Sequence, residues 1–182
     1  MKAIASWWSR PTPSGFLTRF LIIGGVAFCV YAFPTELFGS KQDWLNWYLA
    51  AYARLAGILL RSFDSSVVVN GNVIEGRFPL QIVRTCDAAE VTILVTSAVL
   101  AFPGRARQKL TALAVALPCL VAANLLRICS LYFIGVRFPS WFKAGHEEVW
   151  PLLLVMFAGF VFFCCVRFIR GKEGKLAVAA SH

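Results

Sequence analysis

Cysteine, arginine and histidine side chains stand at three separate points of the chain in surroundings that suit acyl-transfer chemistry: Cys86, Arg127 and His146. Cys86 follows Arg84 by two residues and opens an apolar stretch, which predicts a place at a helix N-terminus. A helix N-terminus and a nearby cation both favour the thiolate, the reactive form of cysteine. A structural thiol, or a disulfide to Cys129, is the plain alternative. Cys29, Cys119, Cys164 and Cys165 fall inside apolar runs, where a thiol is usually an inert small hydrophobe. Arg127 lies roughly 25 Å beyond Leu110 along a helix at about 1.5 Å per residue. That depth is near the far boundary of a membrane, where an arginine with no other role can snorkel. Asn124, three residues earlier, shares its helical face and makes a polar patch of the kind that turns toward a helix bundle and pairs there. His146 is the only histidine besides the last residue, and it sits beside Glu147 and Glu148. An exposed loop histidine is the alternative there. Glu90 could balance Arg127, orient His146 or form a structural ion pair.

A thiolate that attacks a carbonyl, an imidazole that shuttles protons and a guanidinium that stabilises an oxyanion are a minimal set for acyl transfer. The sequence holds no HExxH zinc motif, no Walker A loop and no paired CxxC zinc site, and nothing in it calls for a metal or a cofactor.

The set is useful only if the chain brings it to one place, and the patterning says how. Hydrophobic residues make up 59% of the chain, against about 45–50% in soluble domains, and the excess is gathered in runs. Spans are expected at about 16–34, 86–102, 110–135 and 149–167, since roughly 17–25 apolar residues cross a hydrocarbon core of about 30 Å. The first run is read as a retained span rather than a signal peptide, because Phe33-Pro34-Thr35-Glu36 follows it without a small-residue cleavage site. Basic residues collect at Lys2, Arg10 and Arg19, at Arg105, Arg107 and Lys109, and at Arg167, Arg170, Lys172 and Lys175. With the single acid Glu173 these zones account for the whole net charge of +9. Charge placed this way is a topology signal and not a nucleic-acid footprint. It predicts that both termini are cytoplasmic, and it puts Cys86, Arg127 and His146 on one outer face.

Between the first two spans, the segment 41–63 carries Trp44, Trp47, Tyr48 and Tyr52 and predicts an interfacial helix, with Arg54 and Arg61 on one face and Leu45, Leu49, Tyr52, Leu59 and Phe63 on another. Residues 66–83 predict a small β-hairpin in which Asn70-Gly71 supplies the two positive φ angles of a tight turn. The fold expected is an all-α multi-pass membrane protein of about four transmembrane helices, with that helix and hairpin outside. It is expected to form one membrane-embedded domain over 1–175, followed by a flexible tail at 176–182.

The segments VVVNGNVIEGRFPLQIVRTC, ANLLRIC and AGHEEVW, in that order, resemble the exosortase/archaeosortase family of membrane cysteine transpeptidases over about residues 66–166. The resemblance implies that Cys86 is the nucleophile, with Arg127 and His146 completing the catalytic set. Read with the chemistry above, Arg127 is expected to stabilise the oxyanion or substrate and His146 to act as general acid/base, with Asn124, Glu90 and Arg84 as supporting residues. The resemblance implies partners too: exported proteins that carry a C-terminal sorting segment of recognition motif, membrane helix and basic tail, cleaved through a thioester at the outer face of the cytoplasmic membrane. Many members follow the cysteine with Ser-Gly or a similar small pair. Here Asp87-Ala88-Ala89 follows, a departure that bears on substrate choice. A different class of reading is a non-enzymatic membrane scaffold or assembly factor with Cys86 and Cys129 bridged. A transporter is weaker still, for lack of a polar path through the bilayer centre.

Overall fold

The computed structural model describes residues 13–32, 43–86 and 88–179, with the backbone alone at 43–45, 85 and 172–179. Helix α1 is Pro13–Ala32, α2 is Asp43–Arg61, α3 is Ala89–Ala101, α4 is Ala106–Arg137 and α5 is Trp150–Ala179. Strands β1 (Val68–Asn70), β2 (Val73–Glu75) and β3 (Leu80–Gln81) lie between α2 and α3. Among the described residues three helical stretches are long and apolar enough to cross a membrane: Pro13–Ala32, Ala106–Arg137 and the continuous run Pro139–Gly171. This is a predominantly helical membrane protein, as the apolar runs predict.

The second expected span is shorter than its apolar run. Helix α3 begins at Ala89 and not at Cys86, and its 13 residues reach roughly 20 Å at about 1.5 Å per residue, less than a full hydrocarbon core. At its C-terminal end Lys109 donates from Nζ to the carbonyl of Leu100 at 2.7 Å, where a cation meets the negative end of the helix dipole. Helix α5 continues to Ala179, so of the tail expected at 176–182 only 180–182 lie outside the described residues.

Contacts divide the chain into two compact units. One comprises residues 1–33, 90–119 and 157–182, and the other 34–89 and 120–156. In the first, most of the large side chains of α1 are exposed, Leu17, Leu21, Ile22 and Val26 among them, while Arg19 is buried and donates from Nε to Gly15 O at 2.8 Å. An apolar helix that exposes such residues needs lipid around it, since burial of apolar surface is the main favourable term available to it.

The second unit holds the small sheet. Its order is β1-β2-β3, antiparallel throughout, with Val69 opposite Ile74 and Ile74 opposite Leu80. Asn70 pairs with Val73, so the two turn residues are Gly71 and Asn72 rather than Asn70 and Gly71. Only Gly71 has a positive φ, +60°. That is the type II′ pattern, with glycine at the first central position, in place of the expected pair of positive angles. Helix α2 packs on this sheet through Gly57, where a Cβ would run into Val69. Its buried face is therefore Leu49, Tyr52, Ala53, Ala56 and Leu60, while Leu59 and Phe63, expected to join Leu49 and Tyr52, are exposed. The glycine sets the helix face, because only a bare backbone lets the strand come so near.

The sheet is tied to α4 by Tyr132, fully buried, which donates to Asp64 Oδ2 at 2.9 Å and accepts from the Arg77 backbone N–H at 3.1 Å. Asp64 also accepts from the Ser66 hydroxyl at 2.6 Å and the Ser66 N–H at 3.0 Å, and pairs with Arg77 at 3.4 Å. The Ser66 hydroxyl bond is the main reason the Asp64 carboxyl is held below its usual range, followed by the Ser66 N–H and the Tyr132 hydroxyl, with Arg77 contributing least and burial opposing. A carboxyl whose folded pKa is depressed stabilises the fold above its unfolded value and loses that contribution as pH falls through the folded one. Asp64→Asn is therefore expected to lower thermal stability at pH 7 and to flatten the loss seen on acidification below about pH 4. Tyr132→Phe should cost about 1–3 kcal/mol at neutral pH through the unpaired groups it leaves. Thermal unfolding of the detergent-solubilised chain at pH 7 and pH 3 measures both.

Candidate active site

The thiol, the guanidinium and the imidazole meet within the second unit, and each arrives by a different local device. Cys86 closes a 3-10 turn, Arg84–Cys86, in which its N–H donates to Val83 O at 2.8 Å. That turn hangs from the sheet edge, where Ile82 N–H donates to Asn72 O at 2.8 Å and Asn72 Nδ2 donates to Ile82 O at 2.9 Å. The cysteine thus stands three residues ahead of α3. Its environment comes from the turn and from α4 more than from the end of a helix.

Helix α4 supplies two of the partners. Asn124 donates from Nδ2 to the carbonyl of Cys86 at 2.9 Å, and one turn later Arg127 donates from a terminal guanidinium nitrogen to the carbonyl of His146 at 3.4 Å. Cys86 is 5% exposed, Asn124 0% and Arg127 4%, so all three act away from bulk water, where electrostatic contacts are stronger. The polar patch expected on this helix is turned inward. It holds the backbone at both Cys86 and His146.

His146 sits in a π-helical turn, Gly145–Val149, entered from a helical turn at Phe142–Ala144 and leading directly into α5. The N–H of Trp150 reaches back five residues to Gly145 O. Pro151, at the second position of α5, explains the widening: a proline has no N–H for the carbonyl four residues back, Glu147, and its ring crowds that carbonyl. A widened turn relieves both, and such turns are frequent at functional sites. The result brings His146 Nε2 to 3.9 Å from Cys86 Sγ. The distance is long for a hydrogen bond. The ring lies parallel to Phe142, with centroids 5.9 Å apart and planes within 6°.

The remaining expected residues are placed differently. Arg84 is half-buried at the head of the cysteine turn. Glu90 is exposed in the first turn of α3 and belongs to the other compact unit. Asp87 lies outside the described residues. All six cysteines are described and free, so no disulfide joins Cys86 to Cys129. Patterning missed Phe142, whose spacing of four from His146 was the available signal, and Pro151, whose place just past the histidine marks a disturbed turn. It also missed Tyr132, which continues the inward face at Asn124 and Ile128 with the same spacing. Beside the histidine, Ile134, Phe138, Trp141, Gly145, Val149 and Trp150 line an apolar cavity of about 370 Å³.

With this geometry in view, the match to known families is decisive: the model of the transmembrane exosortases aligns with residues 8–169. The chain belongs to the transmembrane exosortase family. No curated protein and no solved structure gives a significant match to the chain. The exosortase match takes in Cys86, Asn124, Arg127 and His146 together with the helices that carry them.

In this exosortase the backbone just past the cysteine is strained. Ala88 has φ +53°, the one positive φ at a non-glycine residue among those described, and a side chain there costs roughly 1–2 kcal/mol relative to glycine. Ala88→Gly is expected to relieve part of that cost and raise thermal stability by several tenths to about 1 kcal/mol, offset by glycine's greater freedom in the unfolded chain. A lower melting temperature for Ala88→Gly would mean that the alanine methyl packs more than it strains.

Proposed function

We propose that the chain is a cysteine protease-transpeptidase that cleaves the C-terminal sorting signals of exported proteins at the extracytoplasmic face of the cytoplasmic membrane. The observation that carries the reading is the approach of His146 Nε2 to Cys86 Sγ at 3.9 Å, with the Arg127 guanidinium beside the same histidine. Family membership supplies the reaction class. Both termini lie in the cytoplasm, which follows from the charge map, and the exposed apolar side chains of α2, Trp47, Leu55 and Ile58, rest in the outer interface.

In the reaction His146 takes the thiol proton and the Cys86 sulfur attacks the scissile carbonyl carbon. The oxygen becomes an oxyanion stabilised by Arg127. Collapse breaks the carbon–nitrogen bond, and the proton held by His146 passes to the departing amine. A thioester on Cys86 remains. An incoming amine or water, deprotonated by His146, attacks that thioester, the thiolate leaves, and the proton returns to sulfur. Each step uses groups within the second unit, and no metal or cofactor enters the scheme. The partners are exported proteins with a recognition motif, a membrane helix and a basic tail.

Co-expression with a candidate substrate, followed by its size on a gel, tests the assignment. Cys86→Ala should abolish processing. His146→Ala should slow it by about 10²–10⁴-fold, the range for loss of a general acid/base. Arg127→Lys, which keeps the charge and loses the planar fork, should slow it by up to about 10²–10³-fold, the range for loss of an oxyanion donor. Wild-type processing by all three variants would remove the assignment. The scaffold alternative is separated by thiol labelling: a bridged Cys86 reacts only after reduction, a catalytic Cys86 before it.

A further inference from the structure

Between the sheet and the histidine runs a line of rings that the reaction scheme leaves unused. Phe78 lies in the link from β2 to β3, and its ring rests flat on Gly135 of α4, where a Cβ would run into three of its ring carbons. Phe78 in turn packs on Phe142, with centroids 4.9 Å apart and planes at 50°. Phe142 carries the parallel stack on His146 at 5.9 Å. Both contacts fall in the range of favourable aromatic pairs. The imidazole Nε2 faces Cys86 across 3.9 Å, and Nδ1 is buried without a hydrogen-bond partner among the described residues. A catalytic histidine is usually oriented by a group bonded to its second nitrogen. Here a stacked ring stands in that role.

We propose that Phe142, braced by Phe78 against Gly135, is the positioning residue that fixes the plane of the His146 imidazole so that Nε2 points at the Cys86 thiol. The proposal rests on the assignment of Cys86 and His146 as a reacting pair. The stack works through shape and not through a proton: it blocks rotation about the bond that would swing Nε2 off the sulfur, and it leaves Nδ1 free of the hydrogen bond that would set the tautomer. Glycine at 135 belongs to the same device, because any larger residue there displaces the first ring of the line.

The test needs no substrate. The full-length chain in membranes is treated with iodoacetamide across pH 5–9, and the alkylation rate of the Cys86-bearing peptide is followed by mass spectrometry. Among the described residues the charged or titratable groups around the imidazole are Cys86, Arg127 and Glu147; all three are kept in every variant, and His146→Ala, which removes the imidazole itself, is the control. Phe142→Leu should lower the rate at pH 7 by about two- to tenfold, the equivalent of one aromatic pair, and move the rising limb of the profile upward, toward that of His146→Ala. Phe142→Tyr, which keeps the stack, should restore the wild-type profile. Phe78→Leu, which touches neither reacting residue, should move the profile in the same direction by a smaller factor. Wild-type profiles for both Phe142→Leu and Phe78→Leu, with an altered His146→Ala profile, overturn the positioning role and leave the reacting pair intact. An unaltered His146→Ala profile overturns the pair itself, and the positioning role with it.

Discussion

A polar side chain on a membrane helix must find its partners within the protein, since lipid offers none and each unmet group costs several kcal/mol. On α4 that requirement falls on Asn124, Arg127 and Tyr132, and each finds a hydrogen-bond partner on a different piece of chain, with the Asn124 amide oxygen left buried without one among the described residues. Asn124 takes the carbonyl of the cysteine turn, Arg127 the carbonyl of the histidine turn, and Tyr132 the aspartate and backbone that anchor the sheet. One inward stripe therefore collects three segments that are remote in sequence. The Cys86 thiol and the His146 imidazole inherit their proximity from it.

The devices at either end of the stripe differ in kind. On the cysteine side the chain is held by a short sheet with a glycine turn, then bent through a 3-10 turn and a strained Ala88 before α3 begins. On the histidine side it stays helical throughout and changes only in pitch. A turn held by a sheet thus faces a widened helix, and the Cys86–His146 approach of 3.9 Å is set where the two meet. The histidine side is also the one that carries the line of rings, Phe78 on Phe142 and Phe142 on His146.

Much of this could be read from residue order. The apolar runs and the basic zones mark the membrane helices, and the pairing of Asn124 with Arg127 on one face is visible from their spacing alone. What escaped was decided by contacts between distant residues. The helical face of α2 depends on Gly57 meeting Val69, and no periodicity within α2 reports a strand. The turn at Gly71-Asn72 depends on a pairing register one residue away from the one the Asn-Gly dipeptide suggests. The start of α3 at Ala89 depends on a 3-10 turn that an apolar pattern extends straight through. Glu90, plausible as a partner for a buried arginine when only spacing is known, is exposed.

The widened turn ahead of Pro151 has a further consequence for how this part of the chain tolerates change. Successive residues of an α-helix are offset by about 100° around its axis, given 3.6 residues per turn, so the one residue absorbed by the π-turn acts as an angular spacer between α5 and the segment that bears His146. Removing a residue from that stretch, or straightening it by replacing the proline, would turn the imidazole toward another quadrant without breaking the helix. Length and pitch here are a form of aim, and drift in either would part the imidazole from the thiol while leaving a well-folded membrane protein behind.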